Sequence, residues 1–187
     1  MTIVYFIRHA HSTYTPDELQ RPLSEKGIKD ALSVTEIMKI EEVDVVISSP
    51  YLRAIETVEG VAAYFKKEIL LFDHLRERVL SSVPVDNFNY AMQQVWDNPD
   101  FAFEGGESNI VAQNRAIQTF LQMLTKYKDQ KLVIGTHGNI FTLIMNYFDS
   151  YYDFYFWQKL QMPDIYKCTF QGYELIHVEK IWKAVRE

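Results

Sequence analysis

The chain has 187 residues, 48% hydrophobic and 24% charged, which is ordinary usage for one compact globular domain. A formal net charge of -6 excludes a general nucleic-acid binder, which needs a basic face, and the single cysteine, Cys168, excludes an intramolecular disulfide and a cysteine-built zinc cage. No apolar run is long enough to span a bilayer and no basic-then-apolar leader is visible, so the expectation is a protein of the reducing cytoplasm with no membrane and no nucleic-acid partner.

Residues 3–7 (Ile-Val-Tyr-Phe-Ile) form a continuous apolar run, the pattern of a strand buried on both faces. Residues 8–22 read as a polar loop. Ser24 stands as a helix N-cap, with Leu23 and Ile28 as a hydrophobic staple and Ile28, Ala31, Leu32 and Met38 as the apolar face. Residues 44–47 read as a second buried strand, and Ser48-Ser49-Pro50 as the turn into a helix ending near Phe65. A short strand follows at 69–71. Residues 73–106, with Pro84 and Pro99, hold a helix at 88–96 and a turn at Glu104-Gly105-Gly106; they read as an inserted lid or substrate-facing segment of a single domain covering 1–187.

Ile110, Ile117, Leu121 and Leu124 mark a long amphipathic helix. Residues 131–135 form a third buried strand, and an apolar helix starts at Thr136-His137-Gly138-Asn139. A helix at 151–160 and two strands turning at Gln171-Gly172 complete the chain. Strands alternating with helices indicate an α/β three-layer sandwich whose central sheet is mostly parallel, with an antiparallel edge.

In such sheets ligands bind beyond the carboxyl ends of the strands. Three polar clusters fall there: Arg8-His9, Ser48-Ser49-Pro50 with Arg53, and His137-Gly138. Arginine gives charge-assisted, bidentate hydrogen bonds to phosphate oxygens, and helix N-termini after Ser49 and Gly138 would add free N–H groups. The chain has no Gly-x-x-x-x-Gly-Lys-Ser/Thr loop, so this is not a P-loop nucleotide site. A phosphate held by arginine and histidine without such a loop points to phosphoryl transfer onto a side chain, for which neutral imidazole is a suitable nucleophile.

Arg8-His9-Ala10, Arg53 within residues 48–57 (Ser-Ser-Pro-Tyr-Leu-Arg-Ala-Ile-Glu-Thr), Glu77 within Leu75-Arg76-Glu77-Arg78, and Thr136-His137-Gly138-Asn139 resemble the histidine phosphatase superfamily, with its phosphoglycerate mutase-like fold. Residues 21–27 (Arg-Pro-Leu-Ser-Glu-Lys-Gly) and Gly106-Glu107-Ser108 extend the resemblance, which runs in the family's order from residue 3 to about 145. The resemblance implies a metal-independent phosphomonoesterase of the phosphatase branch, with no cofactor and a small phosphorylated substrate. His9 would become a phosphohistidine. Arg8, Arg53 and His137 would hold the phosphoryl oxygens, and Glu77 would protonate the leaving oxygen. Thr15, Gly138 and Asn139 would contact substrate. A carboxyl facing a bound dianion has its charged form disfavoured, which suits an acid, while Glu68 and Glu107 are rivals for the role.

The family's tripeptide usually ends in glycine, and here the residue is Ala10. If the position needs φ > 0 alanine is strained there; if it is only crowded, alanine is the smallest substitute. Residues 79–114 contain no lysine or arginine, which favours hydrolysis of a monoester with little other charge near the bond. Phe88, Tyr90, Trp96, Phe101 and Phe103 are expected to line the apolar part of the pocket. Alternative readings are mutase-type transfer, a phosphoprotein phosphatase, and an inactive phosphate-binding module. The sequence assigns no oligomeric state.

Overall fold

A computed structural model describes residues 1–183. Strands β1 (Thr2–Arg8), β2 (Val45–Ser48), β3 (Ile69–Leu71), β4 (Lys131–Thr136), β5 (Asp164–Gln171) and β6 (Glu174–Lys180) form one sheet in the order β3-β2-β4-β1-β5-β6. The first four pair in parallel, while β5 and β6 add an antiparallel edge. Helices α1 (Glu25–Met38) and α2 (Leu52–Phe65) pack on one face. Helices α4 (Asn109–Lys126) and α5 (Gly138–Phe148) pack on the other, with α6 (Phe154–Lys159) beside them. Helix α3 (Phe88–Asp97) belongs to the connection between β3 and α4. No helix among the described residues is long and apolar enough to cross a membrane.

The continuous apolar pattern of β1 follows from its central place. Tyr5 and Ile7 face α1 and α2, while Val4 and Phe6 face α4 and α5. Phe6 lies 5.3 Å from the Phe120 ring and 5.1 Å from the Phe141 ring, and burying such a side chain contributes roughly 1.5–3 kcal/mol. Cys168 on β5 is fully buried, and burial pushes its thiol far above the usual range.

Helix α1 corrects the sequence reading. Ser24 caps it as expected, accepting from the Gly27 N–H, but Ile28 and Leu32 point to solvent. The buried positions are Gly27, Val34 and Met38, so the packed stripe passes through a glycine that a search for large apolar residues overlooks. Of the expected staple pair, Leu23 is buried and Ile28 exposed, and the Leu23 N–H donates to Glu56. Gly27 lets the first turn of α1 rest on the loop after β1: a Cβ there would lie 2.0 Å from the His11 carbonyl oxygen, which already accepts from the Ser24 N–H at 2.9 Å.

Alanine usually gains about 0.5–1 kcal/mol over glycine inside a helix. At position 27 the clash is with backbone, so Gly27→Ala is expected to cost about 1–3 kcal/mol of unfolding free energy. Urea denaturation checks this, and a gain in stability would show that α1 does not rest on the loop as described.

Candidate active site

Register places the three clusters side by side. Arg8 pairs with Thr136 across β1 and β4, and Ser48 with Gly135 across β2 and β4. The strands end together, and the ladder runs one step further through the His9 N–H to the Thr136 carbonyl and the Ser49 N–H to the Gly135 carbonyl. His9 and His137 therefore face one another with ring centroids 5.2 Å apart.

His9 is buried, with Nδ1 2.8 Å from the carbonyl oxygen of Ala10. That contact requires the proton on Nδ1 and leaves Nε2 as the unprotonated nitrogen. The Arg53 Nε–H donates to this Nε2 at 3.3 Å. Burial first, then the positive charges of Arg53, Arg8 and Arg21, push the imidazole down to about 3, outweighing the Ala10 carbonyl. His137 is likewise held well below its ordinary value, by burial and then by His9, Arg53 and Arg8, and its Nε2 lies 2.6 Å from Ser49 Oγ. Both rings are thus neutral in the ligand-free protein.

Ala10 lies outside the left-handed region: among the described residues the non-glycines with positive φ are Lys66 and Asp129. It is fully buried, and its N–H donates to Thr57 Oγ1, so the site asks for a small residue rather than for glycine's backbone freedom.

Arg53, on the first turn of α2, is buried. It donates to the Glu18 carbonyl at 2.9 Å and pairs with the Glu18 carboxylate at 3.1 Å. Arg8 donates to the carbonyl oxygens of Leu160 and Gln161. Its guanidinium lies flat against the start of α5, where a Cβ on Gly138 would stand 3.0 Å from Arg8 Cζ. Gly138 is therefore a packing requirement for the arginine.

The Glu77 carboxyl accepts three backbone N–H groups, from Arg78, Asn139 and Ile140, at 2.8–2.9 Å. This corrects the expectation of free N–H groups for the ligand at both helix starts. At α5 those of Asn139 and Ile140 are taken by Glu77; at α2, Tyr51 donates to Ser49 Oγ and Leu52 to the Leu19 carbonyl. Arg8 and Arg53 remain at the site as side-chain cations for an anion.

Arg115 of α4 fixes the approach of Glu77, donating to the carbonyls of His74, Arg76 and Glu77 while gripping Glu107 through both carboxylate oxygens. Burial raises the Glu107 carboxyl, but the Arg115 hydrogen bond and charge outweigh it and hold the group below its ordinary range. Glu107 is thus committed to Arg115, and Glu68 is exposed, so neither rivals Glu77.

Beside these groups lies a cavity of about 450 Å³ whose walls include Arg8, Arg53, Glu77 and Asn139, while Gly138 and the buried His9 and His137 are not among its lining residues. Two cations without an assigned role also line it, Arg21 and Arg78. The cation-free stretch 79–114 is thus flanked, just ahead of its start, by an arginine that enters the pocket, which corrects the expectation of little charge beyond the phosphoryl group. Arg21 was legible in the 21–27 pattern, and Arg78 adjoins Glu77 in sequence. Of the five aromatics expected as lining, Phe88 alone is in the wall, joined by Met92, Trp157 and Met162. Trp96 donates to Asn139 Oδ1, Tyr90 is exposed, and Phe101 and Phe103 meet edge to face. The α3 helix turns its Met92 face inward and Tyr90 outward, a choice made by tertiary packing. Thr15 does not line the cavity: its Oγ1 donates to the Asp17 carbonyl, and its own carbonyl accepts from Arg21.

Comparison with known proteins identifies the family. Residues 4–177 match the model of the histidine phosphatase superfamily (branch 1). The chain is 31% identical over 155 residues to phosphoserine phosphatase 1 of Hydrogenobacter thermophilus, covering 73% of this chain and 71% of that one. Among solved structures it resembles Bacillus stearothermophilus YhfR, with a TM-score of 0.80 at 22% identity over 97% of this chain and 96% of that one. It also resembles a phosphoserine phosphatase from Entamoeba histolytica solved with 3-phosphoglyceric acid, with a TM-score of 0.76 at 18% identity over 98% of each chain. The fold, the paired histidines at adjoining strand ends and the match over residues 4–177 together make this chain a member of the histidine phosphatase superfamily.

Proposed function

We propose that the protein hydrolyses small phosphomonoesters by way of a phosphohistidine on His9. The observation that carries this reading is the state of His9: a neutral imidazole, its Nδ1 proton held by the Ala10 carbonyl and its Nε2 surrounded by guanidinium groups. A neutral nitrogen lone pair beside fixed positive charges suits attack on a phosphoryl group, because binding a dianion there needs no proton to leave first. Two relationships support the substrate class: the Hydrogenobacter relative is a phosphoserine phosphatase, and the Entamoeba structure holds 3-phosphoglyceric acid.

In this reading Arg8, Arg53 and His137 receive the phosphoryl oxygens, Arg53 moving its Nε–H from His9 Nε2 to the phosphate. The Nε2–P bond forms as the bond from phosphorus to the ester oxygen breaks, and Glu77 delivers the proton to that oxygen. Water then attacks phosphorus, the Glu77 carboxylate takes its proton, and the P–N bond breaks to release phosphate and neutral His9. Residues 78–81 and α3 form the substrate-facing wall, the role we assign to the 73–106 segment. The buried lone thiol of Cys168 fits a reducing, cytoplasmic setting.

His9→Ala is expected to abolish turnover of p-nitrophenyl phosphate in metal-free buffer while the protein stays folded, with steady-state assays and circular dichroism as the check; full activity in that variant would remove His9 as nucleophile. Glu77→Gln is expected to slow hydrolysis of alkyl phosphates by ~10²–10⁴ and of p-nitrophenyl phosphate far less, since the better leaving group needs less protonation. Equal slowing of both would take the acid role from Glu77.

The neutral histidines also set an acid limit on stability. His9 titrates at about 3 in the folded chain against an ordinary 6.5, so between those values the unfolded chain binds the extra proton. Stability is then complete above pH 6.5 and falls as pH drops through the window, by about 1.4 kcal/mol per pH unit for each such histidine, His137 acting in the same direction. Urea unfolding at pH 7 and pH 5 should show a shallower loss in His9→Gln than in wild type; identical slopes would mean His9 is not held neutral.

A further inference from the structure

We propose that Asp164 is a positioning residue for Arg8, acting through the single peptide group between Leu160 and Gln161. This rests on the reading in which Arg8 receives a phosphoryl oxygen, and it adds what aims that arginine.

Arg53 meets a carboxylate directly, in Glu18, whereas the contacts of the Arg8 side chain are carbonyl oxygens. Arg8 Nη1 donates to the Leu160 carbonyl at 3.0 Å and to the Gln161 carbonyl at 3.3 Å, and its buried Nε has no partner in the protein. Two carbonyls and the bare Cα of Gly138 therefore set where the guanidinium points. Asp164 stands behind those carbonyls. It is 1% exposed, and its Oδ2 accepts the Gln161 N–H at 2.9 Å. The Leu160 carbonyl and the Gln161 N–H belong to one peptide group. That group is trans, the cis bond among the described residues being Met162–Pro163, so its N–H and C=O point opposite ways. Carboxylate, peptide and guanidinium thus lie in a row, each hydrogen-bonded to the next.

A negative charge at the N–H end polarises the peptide and strengthens its carbonyl as an acceptor. Asp164 is itself held on three sides. Its Oδ1 accepts the Ile165 N–H at 3.1 Å, and Lys180 Nζ reaches Oδ2 at 2.8 Å beside the Gln161 N–H. Strand register fixes the two ends of the row, since Arg8 of β1 stands opposite Asp164 of β5. Burial lowers Arg8 from its usual range, and the charges of Glu77 and Asp164 oppose this. A neutral amide would accept the Gln161 N–H without the cost of burying a charge; what the carboxylate adds is its field along the peptide toward Arg8.

The test is a double-mutant cycle on the binding of vanadate, a phosphate-shaped anion, measured by calorimetry on wild type, Asp164→Asn, Arg8→Met and the double variant, with circular dichroism as the check on folding. With Arg8 present, Asp164→Asn is expected to weaken vanadate ~3- to 30-fold, the range for residues coupled in one hydrogen-bond network. In Arg8→Met the same change is expected to have no further effect. If Asp164→Asn does not fold, Gln161→Pro takes its place in the cycle with the same expected result. It removes only the shared N–H, at an exposed position whose predecessor Leu160 already has the extended backbone a proline requires, with φ -63° and ψ 131°. Equal weakening with and without Arg8 would show a general structural role and overturns the proposal, as does no weakening while Arg8 is present. Failure of the underlying reading appears separately, as vanadate binding that Arg8→Met alone leaves unchanged, and it overturns the proposal through its premise.

Discussion

Arg8 and Thr136 are neighbours across one parallel ladder, and Ser48 and Gly135 across the next. Parallel strands end at the same edge, so two histidines and the start of α2 arrive at one point without any long-range steering of side chains. Much of the remaining site adjusts to that meeting. Gly138 is bare so that the Arg8 guanidinium can lie on α5, Gly135 is bare beside Ser48, and Gly27 is bare so that α1 can press the loop after β1 into place. Each glycine stands where a side chain would collide with a part of the site or its support.

The same meeting creates an electrostatic problem. Arg8, Arg21, Arg53 and Arg78 line one cavity in a chain whose net charge is -6. Local carboxylates partly answer them: Glu18 bridges Arg21 and Arg53, and Glu77 sits on backbone N–H groups at the head of α5. Glu18 is half exposed while Arg53 is buried, so an incoming dianion would compete with Glu18 for the Arg53 guanidinium. The histidines answer the same field by staying neutral. The site thus combines fixed positive charge with two neutral imidazoles, the combination on which the proposed chemistry rests.

The support for Glu77 comes from far along the chain. Arg115 ties together the carbonyls of residues 74, 76 and 77, and Glu107 completes the grip from the loop preceding α4. Glu77 is held by a clamp whose parts lie thirty or more residues downstream, which explains why Gly106-Glu107-Ser108 stands out in a segment that carries none of the proposed chemistry itself.

The sequence alone determined the α/β class, the six strands and the three strand-end clusters, because buried parallel strands demand continuous apolar runs and the loops that follow them are polar. It also singled out Arg8, His9, Arg53, Glu77 and His137, each standing in a short local pattern. What it left open depends on which face of an element turns inward. The α1 stripe runs through Gly27 rather than Ile28 and Leu32, and α3 offers Met92 to the cavity and Tyr90 to solvent. Met162 and Trp157 reach the wall from the far end of the chain, with no spacing that relates them to His9. Local pattern follows from backbone sterics and periodicity, whereas burial, partners and charge state are properties of the assembled core.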